Sequence, residues 1–261
     1  MQIEGMFLII ERRNVKGLKH WGDELERRDI PGVIQIDEYM IDENCRLIKN
    51  LSDRGFEIGG VYSEQPFWGK SYRFQYGEMS RTKDKLESCI NKPMRIFNTT
   101  YFAYDEMTLS VADKLGVEYI LARGTAGVKA VVYKPQEYNA KILSVSNVPS
   151  KEMGSGSLCD ESLWSRGVTP DGFREILFSL KADRIILVAQ THLSGVKLYW
   201  YNVYQDFLDA NIVTWKSLDE FATKTIVLPN SQIPVNNKVR YVTPQPKIPM
   251  EQETDYPFEE P

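Results

Sequence analysis

The sequence predicts an α/β fold in which a mostly parallel sheet, wrapped by helices, closes into a barrel. Three observations support this prediction. Short apolar runs alternate with longer amphipathic or charged stretches along most of the chain, as strands and helices do in βαβ units. Turn and capping residues stand at the junctions between these runs. Of the 261 residues, 42% are apolar, which is enough for a sizeable core.

The predicted strands are short runs rich in apolar and β-branched residues. They cover residues 7–10, 33–36, 57–62, 94–97, 117–121, 128–133, 141–145 and 184–189, with two further short strands near Ile212 and Ile226. The predicted helices lie between them, at residues 18–28, 42–54, 78–90, 105–115 and 170–181. Asp42 and Asp105 are predicted N-caps, and Pro170 lies in a first helical turn, where its missing N–H is tolerated.

The segment 229–261 differs in composition from the rest of the chain. Seven of the 13 prolines lie in it, and it ends in an acidic run. Such a segment cannot continue a packed core. We therefore predict a barrel domain at residues 1–228 and a Pro-rich acidic C-terminal arm or tail at residues 229–261. The arm packs on a neighbouring subunit of a homo-oligomer, or it lies on its own domain.

Charge and cysteine usage exclude several kinds of protein. The net charge is −4, and no basic stripe suited to a phosphate backbone is visible, so nucleic acid is not an expected partner. No stretch approaches the roughly 20 apolar residues that span a bilayer. The three cysteines are scattered and odd in number, which argues against a disulfide framework and against a cysteine metal cluster. We therefore expect a cytoplasmic protein without a membrane span.

A run of motifs resembles the polysaccharide deacetylase family, whose members have the NodB homology fold. Residues 54–66, RGFEIGGVYSEQP, resemble the family segment G-H-E-I-G-N-H-T-x-S-H-P. Weaker similarity continues at residues 28–34, 97–102, 114–119, 160–170 and 185–192, so that the resemblance covers about residues 5 to 223. The resemblance implies a distorted (β/α) barrel of about seven parallel strands with an extended C-terminal arm. It also implies a hydrolase of carbohydrate amides or esters in cell-surface polysaccharide metabolism.

The metal ligands of that family are not kept in this sequence. The last two histidines of the segment, which hold a divalent ion in the family, are replaced by Val61 and Gln65. The family's metal-binding Asp corresponds to Arg12. A valine has no lone pair, an amide is a poor ligand for zinc, and a guanidinium repels cations. We therefore expect no cofactor, with one alternative: a rebuilt metal site formed by Glu11, Glu64 and His192.

Other positions of the resemblance suggest roles for individual residues. Glu11 matches the family's catalytic Asp and is a candidate base, although a glutamate at a strand end is also often a solvated loop charge. His192 is a candidate acid, since it lies two residues after Gln190 and would share its side of an extended strand. Arg12 could hold an anionic group. The candidate substrate-binding residues are Arg12, Glu64, Gln65, Asn98, Tyr101, Trp164 and Gln190. His20, on a polar helix, is expected at the surface.

Two functions remain open on this reasoning. The first is metal-free hydrolysis of a C–N or ester bond, with water activated by Glu11. The second is non-catalytic binding of a carbohydrate or nucleotide-sugar on a degenerate deacetylase scaffold. If polar groups converge on the vacant ligand position, the first is favoured. If Val61 and apolar neighbours fill that position, metal-dependent catalysis by the family route is excluded.

Overall fold

The computed structural model describes residues 2–150, 154–234 and 254–258, most of which belong to strands and helices. The strands are β1 Ile3–Ile10, β2 Gly32–Asp37, β3 Glu57–Tyr62, β4 Ile96–Thr99, β5 Tyr119–Ala122, β6 Val131–Pro135, β7 Lys141–Ser144, β8 Asn147–Ser150, β9 Gly154–Ser157, β10 Arg184–Gln190, β11 Val213–Trp215 and β12 Thr225–Leu228. The helices are α1 Val15–Arg27, α2 Glu38–Asp53, α3 Tyr72–Ile90, α4 Glu106–Leu115, α5 Asp160–Trp164, α6 Pro170–Phe178, α7 Leu198–Asp209 and α8 Leu218–Ala222.

One curled sheet forms the centre of the fold. Its strand order is β10-β1-β2-β3-β4-β5-β7-β6-β12, and β11 pairs with β1. The pairing of β6 with β7 is antiparallel, and the other pairs of this sheet are parallel. The predicted α/β barrel-like fold is therefore confirmed, with ten strands in the described sheet instead of about seven. Strands β8 and β9 form a separate hairpin that the sequence did not predict.

Apolar side chains fill both faces of the sheet, as expected where helices cover parallel strands. On β1, Met6, Leu8 and Ile10 belong to the cluster on the inner, concave face. The alternate residues Phe7 and Ile9 pack in the outer cluster, against the helices. The alternation shows which residues of each strand point inward. Since parallel strands end at the same edge, inward residues near their carboxyl ends converge there.

Several helices differ from prediction. The N-cap of α2 is Asp37, not Asp42, so the helix begins directly after β2. Helix α7 was not predicted, because its many aromatic residues are typical of strands; in the structure six of its side chains are buried. The predicted cap at Asp105 is confirmed and forms a capping box with Thr108. Pro170 is confirmed in the first turn of α6.

The expectation against a disulfide was wrong. Cys45 on α2 and Cys89 on α3 are disulfide-bonded, with their Cα atoms 5.5 Å apart. The two helices pack against each other and so bring together residues that are 44 positions apart in sequence. Cysteine spacing carries no information about such packing. Cys159 is the free cysteine and is buried.

Part of the predicted C-terminal arm lies on its own domain. Residues 235–253 and 259–261 are outside the described residues, but 254–258 run beside the start of α7, where Leu198 N donates to Thr254 O at 2.8 Å. The ring of Tyr256 contacts His20, with centroids 4.1 Å apart. The surface position predicted for His20 was wrong, because the tail and Tyr201 cover its ring. Within the described part of the chain, no helix is long and apolar enough to cross a membrane.

A candidate ligand site at the carboxyl ends of the strands

The inner edge of the sheet carries polar side chains around Val61. Asp37 on β2, Val61 on β3 and Asn98 on β4 are lateral neighbours in register. Asp37 is buried, accepts a hydrogen bond from Tyr39 N at 3.1 Å and another from Ser63 Oγ. Sequence reasoning missed Asp37, although an Asp that directly follows an apolar strand and precedes a helix is a recognisable signal.

The position of the family's metal-binding histidine is apolar in this structure. Val61 is 2% exposed and belongs to the inner cluster with Ile10 and Phe102. Within residues 2–150, 154–234 and 254–258, no group of three His, Cys, Asp or Glu side chains could hold a metal ion. The alternative set of Glu11, Glu64 and His192 is therefore not assembled. The donor set around Val61 does not fit a divalent cation.

Glu11 directly follows β1, is fully buried and has an unusual environment. Its Oε1 accepts a hydrogen bond from Asn14 N at 2.7 Å, while Oε2 is buried without a partner among the described residues. Burial raises the pKa of Glu11 to about 7, and the charge of Asp37 adds to the rise, while the Asn14 N–H opposes it. At neutral pH this carboxyl group can therefore either accept or donate a proton. It is not the solvated loop charge considered as an alternative.

Three buried amide side chains occupy inner positions near the carboxyl ends of β2, β4 and β10. Gln35 on β2 and Gln190 on β10 are both lateral neighbours of Ile10 on β1, and Asn98 lies next to Val61. All three amides are at most 5% exposed. In the described structure, Gln35 Nε2 and Oε1, Asn98 Oδ1 and Gln190 Oε1 have no hydrogen-bond partner. Buried polar groups are nearly always paired, so these atoms are suited to water or a polar ligand.

His192 does not continue strand β10. The strand ends at Gln190, whose carbonyl oxygen accepts hydrogen bonds from Leu193 N and Gly195 N, each at 3.2 Å. The argument that placed His192 beside Gln190 on an extended strand was therefore wrong. The ring is half-buried, and its Nδ1 is buried without a partner in the described part of the chain.

The turn that carries His192 is held by Asp160. This carboxylate is fully buried and accepts hydrogen bonds from Ser194 N at 3.1 Å, Ser194 Oγ at 2.5 Å and Gln190 N at 3.1 Å. Burial raises the pKa of Asp160, and these hydrogen bonds oppose the rise. Asp160 therefore connects α5 to the end of β10 through buried hydrogen bonds, and these bonds fix the turn that follows the strand.

The other predicted substrate-binding residues differ in how deeply they are buried around the carboxyl edge of the sheet. Glu64 is exposed and forms an ion pair with Arg13 at 2.5 Å, away from the buried groups. Arg12 is half-buried, and its backbone N donates to Thr191 Oγ1 at 2.9 Å. Gln65 is half-buried beside Tyr62. Trp164 is half-buried on α5, and the ring of Tyr101 is 55% exposed just after β4.

Comparison with known proteins agrees with this geometry. The family model for polysaccharide deacetylases matches residues 18–120, from α1 into β5. Over these residues the chain is similar to the polysaccharide deacetylase family. No curated protein matches its sequence.

Solved deacetylase-family structures share the fold at low sequence identity. A family 4 carbohydrate esterase pseudoenzyme from Bacillus anthracis superposes with TM-score 0.60 at 12% identity, covering 86% of this chain and 68% of its own. A mutant of that pseudoenzyme described as having restored enzymatic activity gives the same TM-score and identity, over 86% and 69% of the two chains. A family 4 carbohydrate esterase from Streptomyces lividans, in complex with acetate, gives TM-score 0.56 at 11% identity, over 88% and 98%. The fold thus occurs both in a carbohydrate esterase and in a pseudoenzyme.

Proposed function

We propose that this deacetylase-like protein binds a carbohydrate at the carboxyl edge of its sheet and does not carry out metal-dependent deacetylation. The observation that supports this most directly is Val61 at a family ligand position, together with three buried amides, Gln35, Asn98 and Gln190, whose side-chain oxygens have no hydrogen-bond partner in the described structure. Amide groups both donate and accept hydrogen bonds, so they can bind sugar hydroxyl groups. A degenerate metal site is the corresponding proposal for the cofactor.

The rim of the site adds features that suit a sugar. Tyr39 at the start of α2 is 57% exposed, and Tyr101 after β4 is 55% exposed. The faces of exposed aromatic rings can pack on the C–H face of a sugar. Asp37 adds a carboxylate acceptor below this rim, and carboxylates form strong hydrogen bonds with hydroxyl groups.

A second candidate function is metal-free hydrolysis, which the environment of Glu11 favours. A carboxylate with a pKa near 7 can take a proton from water as the water attacks an amide or ester carbonyl. His192, when protonated, would give a proton to the leaving amine or alcohol. Asn98 and nearby backbone N–H groups would then stabilise the oxyanion. The scaffold and the C–N or ester substrate class are those of the family.

The test measures sugar binding and turnover separately. We expect N-acetylglucosamine and its oligomers to bind in calorimetric titrations without added metal, and Gln35→Leu or Asn98→Leu to weaken binding about tenfold, because each removes a buried hydrogen-bonding group. Gln136→Leu, at an exposed position, is the control. Undiminished binding by both amide variants would overturn the proposal. Acetate release by the wild type that is lost in Glu11→Gln would instead establish the hydrolase.

Location and assembly remain predictions. A cytoplasmic protein is predicted from composition, and the disulfide between Cys45 and Cys89 weighs against that location, because cytosolic disulfides are rare in mesophiles. Homo-oligomerisation through the C-terminal arm is also still a prediction. The described part of that arm contacts its own chain at His20 and Tyr201.

A further inference from the structure

We propose that the C-terminal segment 254–258 is a positioning element of the candidate site, because it holds the β10–α7 turn, residues 191–197, on the side of α1 and α7. This turn begins directly after Gln190 and carries His192. The segment lies outside residues 18–120, the part of the chain that the family model matches. Holding the turn is a role separate from binding a ligand, so it goes beyond the proposed function.

The segment docks by pairing its backbone with the end of the turn. Tyr256 N donates a hydrogen bond to Val196 O at 2.5 Å, and Leu198 N donates one to Thr254 O at 2.8 Å. The two bonds belong to an antiparallel bridge. Such a pair of bonds fixes both the direction and the register of the segment against the turn.

The bond to Thr254 also supplies a cap that helix α7 lacks. Lys197 is the N-cap residue of α7, and its side chain makes no capping hydrogen bond. The first N–H groups of a helix have no partner within the helix, and that of Leu198 is one of them. Thr254 O accepts from this N–H, and an ion pair between Lys197 Nζ and Asp255 lies beside it. The start of α7 is therefore completed by a segment from the other end of the chain.

His20 on α1 connects the docked segment to the turn. Its Nδ1 lies 2.9 Å from Gly195 O, and since a carbonyl oxygen only accepts, Nδ1 carries the proton and donates it. Burial lowers the pKa of His20, so the ring is neutral at pH 7. The ring centroids of Tyr256 and Tyr201 lie 4.1 Å and 4.5 Å from that of His20. The ring of Tyr256 thus covers the side chain that binds the turn.

Helix α1 and the turn also touch through backbone atoms. A Cβ at Gly17 would come closer than 3.0 Å to Thr191 O, and a Cβ at Gly195 would come closer than 3.0 Å to Thr191 O and to Gly17 Cα. Because these contacts contain no flexible side chain that could absorb a shift, displacing Gly195 should displace Thr191 as well. His192 lies between these two residues in the sequence and should move with them.

Asp160 is a separate anchor of the same turn. Its hydrogen bonds reach Gln190 and Ser194 from the inner side. The docked segment, directly or through His20, reaches residues 195, 196 and 198. The two anchors therefore act on different parts of the turn, and a test can separate them by perturbing the segment alone.

The experiment uses the imidazole NMR signals of the full chain at pH 7. The sequence contains two histidines, His20 and His192, and the variant His192→Gln assigns their signals. We expect His20 to show the tautomer protonated at Nδ1. In Tyr256→Ala the signals of both histidines should shift or broaden, because His20 is uncovered and the turn is released. Tyr256→Phe, which keeps the ring, and the control Tyr72→Ala, at an exposed position of α3, should leave both signals as in the wild type.

Two results with Tyr256→Ala would overturn the positioning role of the segment. A change at His20 with unchanged His192 signals would mean that Asp160 alone fixes the turn. Unchanged signals of both histidines would mean that the segment is not docked on His20. Neither measurement needs a sugar, so a failure of the proposed function and a failure of this role are distinguishable.

Asp255→Lys keeps the test decisive if Tyr256→Ala does not fold. This variant leaves the aromatic rings in place and puts a second positive charge beside Lys197, so that the ion pair becomes a repulsion that salt screens. Changes at both histidines at low salt that reverse at high salt would support the positioning role. Unchanged His192 signals at low salt would overturn it.

Discussion

The side-chain amide of Gln35 lies over the backbone of Gly59 on the neighbouring strand. A Cβ at Gly59 would come within 3.0 Å of Gln35 Nε2 and of the carbonyl oxygen of Ile96. Gly59 is thus the residue that leaves room for an amide inside the sheet. The family resemblance aligns this glycine with a family glycine, but the reason for it here is a steric one, the space that Gln35 occupies.

Replacing Gly59 with alanine should therefore destabilise the protein. Overpacking at such a contact costs about 1–3 kcal/mol, because neither the strand backbone nor the buried Gln35 can move freely. The free energy of unfolding in urea measures this. Gly77→Ala is the matched control, since its Cβ meets nothing within 4 Å on helix α3, and alanine should stabilise a helix there by about 0.5–1 kcal/mol. Equal effects of the two substitutions would contradict the packing described for Gln35.

The buried carboxyl group of Glu11 should make stability depend on pH. Its pKa is raised from 4.5 to about 7 in the folded protein, so folding takes up a proton between these values. The free energy of unfolding should accordingly fall as pH rises from about 4.5 to 7, by roughly 3 kcal/mol at most. Glu11→Gln should flatten this slope, because an amide does not titrate. Urea unfolding at a series of pH values measures this dependence, and the exposed Glu43→Gln variant is the control. An unchanged slope in Glu11→Gln would show that Glu11 is not the titrating group.

The disulfide between Cys45 and Cys89 predicts a thiol count. One thiol, that of Cys159, should react in denaturant without reductant, and it should be unreactive in the native protein because it is buried. All three cysteines should react after reduction. Closing a loop of 44 residues should stabilise the protein by about 2–4 kcal/mol, so Cys45→Ser should unfold at lower urea concentration. Three reactive thiols in the unreduced, denatured protein would rule the bridge out.

Much of the sheet was predictable because most of its strands correspond to short apolar runs in the sequence. The apolar runs that became β1, β3 and β10 are short, and polar residues or glycines bound them, so periodicity alone places them. The start of α2 was predicted wrongly at Asp42, because Asp37 is an equally good N-cap by residue type and only the end of β2 decides between them.

The chemistry of the site was only partly predictable. Glu11 could be selected by its position after a strand, but its pKa depends on burial and on Asp37, which comes from another strand. Gln35 could also have been predicted as a site residue, because a lone amide inside an apolar run indicates a buried polar group. His192 was placed by assuming an extended strand, whereas the hydrogen bonds to Gln190 O turn the chain there.

If the side chain of Val61 fills the space that the metal site occupies in the family, replacing Val61 and the other substituted residues with the family's ligands should produce metal binding. We expect the triple variant Arg12→Asp, Val61→His, Gln65→His to bind stoichiometric Co²⁺ or Zn²⁺, because one carboxylate and two imidazoles form an open three-ligand site. A histidine at Val61 crowds the inner core and should cost about 1–3 kcal/mol, so circular dichroism must first show that the variant folds. Equilibrium dialysis then measures bound metal. Arg12→Asn, Val61→Asn, Gln65→Asn is the control, with polar side chains that are poor ligands. A folded triple variant that binds no more metal than this control would mean that the three positions do not converge. The proposed degenerate metal site would then not be explained by these substitutions.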